Sequence, residues 1–253
     1  MRVLIYSLLV SFILINASVS KGSIDRYVDP RTGIPIIFIH ESDMYPESWL
    51  SPAINQKSKS IDTTEIERSQ RIILNAFSKY PVRVLRTYLQ RVYITSGLEA
   101  YGTPMGGTRS ENRVYINNTG IKNGYTDDYI EHSFHHEFSS VLLLNSDTIF
   151  NSETWNAFND SSFTYGNDEF ESIREGRSWQ TFDTLLHEKG FIHAYACTTL
   201  ENDFNSFAQY LFLPPNEFIA AIKKCPRLKR KLFYVIDFYC KIDSGYALMK
   251  FGY

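Results

Sequence analysis

Two five-residue segments constrain the fold of this chain most. Arg91–Thr95 (RVYIT) and Arg113–Asn117 (RVYIN) alternate and are rich in β-branched and aromatic residues, so both read as strands. Both are flanked by helical patterns. Asp62-Thr63-Thr64-Glu65 is a small polar cap with an acid three residues on. Ile66, Ile73, Phe77 and Tyr80 then recur at helical spacing, and Pro81 ends the run. Residues 82–90 form a second, short helix. Thr126-Asp127-Asp128 caps a long helix that runs to about Leu144 and carries Ile130, Phe134, Phe138, Val141 and Leu142. Three more helices follow at about 201–213, 215–224 and 227–241, separated by Pro214-Pro215 and Pro226, each placed where a helix can begin. The expected class is α+β: a small sheet with a long helix, then a mainly helical C-terminal part.

The connections read differently. Gly102-Thr103-Pro104-Met105-Gly106-Gly107 is a turn-rich link between the two strands. Residues 21–60, broken by Pro30, Pro35, Pro46 and Pro52, form a loop-rich segment with one short strand at Ile36–Ile39. Residues 146–185 are polar and aromatic, an insertion or loop layer. Met1-Arg2, an uncharged run from Val3 to Ile15 and the small residues Ser18-Val19-Ser20 have the layout of a secretory leader at residues 1–20. That apolar run is shorter than the ~20 residues a membrane span needs. The expected organisation is therefore a leader, the segment 21–60 and a single domain over 61–253, acting outside the cytoplasm with no membrane span after the leader is removed.

Composition removes other classes. A net charge of −2 from 26 Lys+Arg against 28 Asp+Glu lacks the basic excess of a nucleic-acid binder. Three cysteines, Cys197, Cys225 and Cys240, cannot make a disulfide scaffold and lack the spacing of a structural zinc site. They allow one bridge and a leftover thiol, or three buried thiols.

The chemistry-bearing stretch is Glu131-His132-Ser133-Phe134-His135-His136-Glu137-Phe138-Ser139-Ser140. The H-E-x-x-H zinc motif sets two imidazoles one helical turn apart on one metal, with the Glu after the first His as general base. His136-Glu137 supplies the first half, and the second His position is Ser140. Two arrangements keep a metal: His132 and His136 are themselves four apart, or His136 works with a downstream carboxylate and water. Otherwise the three imidazoles form a polar helix face without metal.

Further segments carry a resemblance. These are Tyr80-Pro81, the Tyr101-Gly102 to Thr108 turn, Val114–Asn117, the His135–Phe138 run, Gly190-Phe191-Ile192-His193-Ala194-Tyr195-Ala196, and Glu201-Asn202-Asp203-Phe204. In this order they resemble the zinc-binding metallopeptidases of bacterial secreted and surface lipoproteins, called substrate-import-associated zinc metallohydrolases. That group is gluzincin-like. The resemblance spans roughly residues 60–215. It implies a zincin-like fold, with zinc as cofactor, His136 and Glu201 as metal ligands, Glu137 as general base and Tyr195 as oxyanion support. It also implies that Arg113–Asn117 is the edge strand aligning an extended peptide. This chain departs from the pattern at Ser140 and at Asn205-Ser206, where the family has Ala-Glu. Two functions follow: peptide-bond hydrolysis if metal is held, or an inactive homologue that binds a peptide or glycan outside the cytoplasm.

Overall fold

The computed structural model describes residues 25–166 and 181–248. The leader expected at 1–20 lies outside the described residues, as does part of the 146–185 stretch. Among the described residues no helix is long and apolar enough to cross a membrane.

The described residues fold as α+β, with a seven-stranded mixed sheet and helices inserted between its third and fourth strands and following its last. The strands are β1 (Arg26–Val28), β2 (Pro35–Ile37), β3 (Lys57–Ser60), β4 (Arg91–Ala100), β5 (Thr103–Pro104), β6 (Gly107–Arg109) and β7 (Arg113–Asn117). The sheet runs β1-β2-β4-β7-β6, with β3 and β5 also paired to β4. The first half of β4 lies parallel to β2 and to β7, in register Tyr93↔Tyr115. Its second half takes β3 and β5 antiparallel. Tyr101 and Gly102 both adopt positive φ (52° and 70°), and they turn β4 tightly into β5.

Two expectations change here. The 21–60 segment contributes three strands to the sheet rather than one. The Arg113–Asn117 strand is not the edge: it lies between β4 and β6, and the edge is the three-residue β6. Val114, Tyr115 and Ile116 are three consecutive, fully buried apolar residues, which suits a strand covered on both faces.

Strand alternation sends Ile36, Val92, Ile94, Val114 and Ile116 into the main core. There they meet Ile72, Ile73 and Phe77 of α1 (Ile66–Ser78) and Phe134 and Phe138 of α3 (Asp127–Leu144). The opposite residues, Ile37, Tyr93 and Tyr115, join Met44 and Tyr45 in a second cluster, with Tyr93 stacked on Tyr115 at 5.2 Å. The short helices α2 (Val82–Tyr88), α4 (Ser152–Asn156) and α5 (Thr184–Lys189) complete the first part. The C-terminal part is α6 (Leu200–Leu211), α7 (Asn216–Lys224) and α8 (Pro226–Ile242).

Two buried polar networks fix the helices that matter below. On one face of α3, His135 bonds Tyr80 Oη through Nδ1 at 2.7 Å and Glu131 through Nε2 at 3.4 Å. Lys79 and Asn75 of the α1 end also bind Glu131. Burial alone would raise the Glu131 carboxyl, but His135 and Lys79 overcome it and hold it at about 2. Behind α6, Asp203 pairs with Lys231 of α8 at 2.5 Å, both fully buried. Trp155 and Tyr165 donate to the same Asp203 oxygen, and Lys231 also donates to the Gly190 carbonyl. This pair sets the rotation of α6 and so decides which of its residues face α3.

Candidate functional site

A cleft of about 690 Å³ lies between α3, the start of α6 and the β5–β6 rim. Helical spacing places His132, Ser133, His136, Glu137 and Ser140 on its α3 wall. Opposite are Tyr195, Glu201, Asn202 and Gln209, and the rim supplies Pro104 to Arg109. All five residues expected from sequence (His132, His136, Glu137, Tyr195 and Glu201) therefore line one cleft, and Ser140 lines it with them. His135 instead turns into the core.

The rim approaches α3 so closely that a side chain at Gly106 or Gly107 would push aside one on α3. A Cβ at Gly106 would overlap the Tyr129 hydroxyl, and one at Gly107 would come within 2.8 Å of Glu137 Oε1. The Glu137 carboxylate thus rests against the main chain of β6.

The expected ligands have partners of another kind. His136 Nδ1 donates to Gln209 Oε1 at 2.9 Å, and Asn202 also hydrogen-bonds this ring. Burial pushes His136 below the ordinary imidazole value, with the Gln209 bond opposing. Its ring lies 5.8 Å from that of Tyr195. His132 Nε2 donates to the Leu213 carbonyl at 2.8 Å, and burial likewise lowers it. Glu201 accepts from Arg109 of β6 at 2.8 Å, an ion pair across the mouth of the cleft. Deeper in, Ser139 Oγ donates to Asn205 Oδ1 and Asn205 Nδ2 donates to Ser140 Oγ. Asn202, Asn205 and Gln209 share one face of α6, at i, i+3 and i+7, and meet His136, Ser139 and Ser140 across the α3–α6 seam.

These residues do not fit a zinc ion. Structural and catalytic zinc sites need three or four converging Cys, His or carboxylate donors. Here the hydroxyl at 140 is taken by an amide, Glu201 is paired with a guanidinium, and the α6 residues that meet His136 are Gln209 and Asn202, both neutral amides. Among the described residues no group of three or more His, Cys, Asp or Glu side chains is placed to hold a metal. Cys197, Cys225 and Cys240 are unbridged.

Sequence reasoning did not point to Arg109, Tyr125, Tyr129, Asn202 or Gln209, all of which line the cleft. The one available signal was the amide spacing of α6, polar positions in a helix otherwise filled by Phe204, Phe207, Ala208 and Leu211.

No family model matches the chain, and no curated protein matches it. Among solved structures, a candidate zinc-binding metallo-peptidase from Bacteroides caccae overlays it with a TM-score of 0.49. The overlay covers 72% of this chain and 70% of that one, at 14% identity. A likeness that loose assigns neither family nor activity.

Proposed function

We propose that this chain is a zincin-like protein that works without zinc, binding an extended peptide in the α3–α6 cleft outside the cytoplasm. The observation that carries the reading is the α3–α6 seam. Neutral side chains bonded to their neighbours, Asn205 to Ser139 and Ser140 and Gln209 to His136, occupy the α3–α6 contact where hydrolysis would need metal ligands. Metal ligands awaiting an ion would leave buried lone pairs unpaired, whereas Ser139, Ser140, Asn205 and Gln209 are hydrogen-bonded without one. The address outside the cytoplasm rests on the leader read at residues 1–20.

A peptide is favoured as the ligand by β6. It is the edge of the sheet path and lies along the cleft. An edge strand offers main-chain donors and acceptors to a further strand, with side-chain pockets supplying selectivity. Glu137 and Tyr195 are then contact residues of the groove. His136 holds the seam closed through Gln209.

The test is to incubate the purified protein with a mixed library of unstructured peptides, with and without added zinc. Bound peptides are recovered and their ends sequenced. The expected result is retention of intact peptides, indifferent to zinc. Zinc-dependent cleavage that is lost in both His136→Ala and Glu137→Gln would overturn the reading in favour of hydrolysis.

A further inference from the structure

Asp203 and Lys231 stand 28 residues apart in sequence and meet in the interior between α6 and α8, neither with any exposed side-chain surface. Phe191, Trp155 and Phe207 wall in the Lys231 amine, whose nitrogen lies 4.3, 4.9 and 5.8 Å from their ring centres. The hydrogen bonds of the pair are lopsided. Asp203 Oδ2 accepts from Lys231 Nζ at 2.5 Å, from Trp155 Nε1 at 2.9 Å and from Tyr165 Oη at 2.6 Å. Asp203 Oδ1 is buried and has no hydrogen-bond partner. Lys231 Nζ has a second acceptor, the Gly190 carbonyl, at 2.7 Å.

An ion pair accounts poorly for this pattern. A buried carboxylate carries charge on both oxygens, and leaving one bare forfeits its solvation without replacement. An amide accounts for it better. Joining Lys231 Nζ to Asp203 Cγ removes the bare oxygen. The one hydrogen that stays on nitrogen donates to the Gly190 carbonyl. Oδ2, now an amide carbonyl oxygen, keeps Trp155 and Tyr165 as donors. Every polar atom that remains is paired.

We propose that Lys231 and Asp203 are joined by an intramolecular isopeptide bond that staples α6 to α8. The bond fixes the α6 wall of the cleft whatever the cleft holds, so it stands independently of the peptide-binding reading.

The reaction is a condensation and needs no oxidant or cofactor. A proton first passes from the ammonium to the carboxylate, because a dry pocket favours a neutral amine and acid over two ions. Burial pushes the Lys231 amine below its ordinary value in the same sense. The nitrogen lone pair then attacks Cγ, and the carbonyl electron pair moves onto Oδ2. Trp155 and Tyr165 donate to that oxyanion. Burial and the Asp203 charge hold the Tyr165 phenol well above its ordinary value, so it stays a donor. Oδ1 carries the acid proton, takes a second proton shed by the nitrogen, and leaves as water when the Cγ–Oδ1 bond breaks and the carbonyl re-forms. The surrounding rings exclude the water that would reverse the step.

The test is the mass of the purified full chain under denaturing conditions, with its N-terminus sequenced, followed by tryptic digestion and fragmentation. The wild type should be lighter by one water than its own sequence requires. The missing water should lie in a branched peptide that joins the Asp203 segment to the Lys231 segment. Lys231→Met should have the full mass of its sequence and a linear Asp203 peptide, a readout that does not depend on how well the variant folds. Two linear peptides of unmodified mass in the wild type would overturn the inference and leave an ion pair. A missing water that maps elsewhere, or that persists in Lys231→Met, would overturn it as well.

Discussion

Replacing Asn205 with alanine probes the seam most sharply. Asn205 is fully buried. Its two side-chain groups serve two hydroxyls, accepting from Ser139 and donating to Ser140, each at 2.5 Å. The single Ser139 hydroxyl hydrogen, shared between Asn205 Oδ1 and the His136 carbonyl at 2.7 Å, would turn wholly to that carbonyl, so this hydroxyl stays paired. Ser140 would lose the amide that engages it. A buried polar group stripped of its partner costs roughly 1–3 kcal/mol, and the space vacated by the amide adds to this. The sum is about 2–4 kcal/mol. In a chain of this size each kcal/mol lowers the melting temperature by ~2–4 °C, so the shift should be about 4–16 °C. Glu201→Ala is the internal comparison. Its ion pair with Arg109 is partly exposed, with side-chain exposures of 41% and 23%, and its loss should cost under ~1 kcal/mol. Urea unfolding followed by tryptophan fluorescence, with thermal melts in parallel, reads both variants. An Asn205→Ala loss no larger than that of Glu201→Ala would refute the view that the seam is a packed, hydrogen-bonded interface.

Other outcomes follow from the same structure. Lys231→Met leaves Asp203 charged and buried, and should cost about 3–5 kcal/mol in chemical denaturation; adding Asp203→Asn should recover part of that loss. If the double variant is less stable than the single, the pair is not the anchor described. Stability should fall as pH drops from 6.5 toward 4. Burial lowers His135 from 6.5 to about 4, so the unfolded chain takes up the proton first and gains from it. The groups facing that ring, Tyr80 and Glu131, do not reverse the sign, since Glu131 stays ionised to about 2. A melting temperature constant across that window would contradict the burial of a neutral His135. Finally, Ser140→His combined with Asn202→Glu places an imidazole and a carboxylate beside His136, and calorimetry should show zinc affinity in the double variant that the wild type lacks. No gain would mean that residues 140 and 202 do not face one point.

The long elements were readable because local chemistry decides them. Asp62 caps the turn before α1 by accepting from Thr64 N, Thr126 caps α3, and Pro226 starts α8. The short strands were not. Lys57–Ser60 (KSKS) has no apolar alternation, and Gly107–Arg109 has three residues; β3 exists because β4 offers it a partner from far along the chain, and β6 because it folds back on the strong strand β7. Hence the edge strand was placed one position too far in. The candidate site was legible as far as its α3 face, where i, i+4 spacing ties His132, His136 and Ser140 together. On α6 the limit was rotation. Adjacent residues differ by ~100° around a helix, and counting from a cap does not tell Glu201 from Asn202. The buried Asp203–Lys231 pair sets that angle, and it joins residues 28 apart in sequence. Neutral amides such as Asn205 and Gln209 carry no motif, so their role emerged only from their partners.

The most direct measurement of the central claim is the zinc content of the purified protein after equilibration with a small excess of zinc and removal of the free ion. The account predicts far less than one zinc per chain, unchanged in His136→Ala and Glu201→Ala. One zinc per chain in the wild type, lost in both variants, would contradict it.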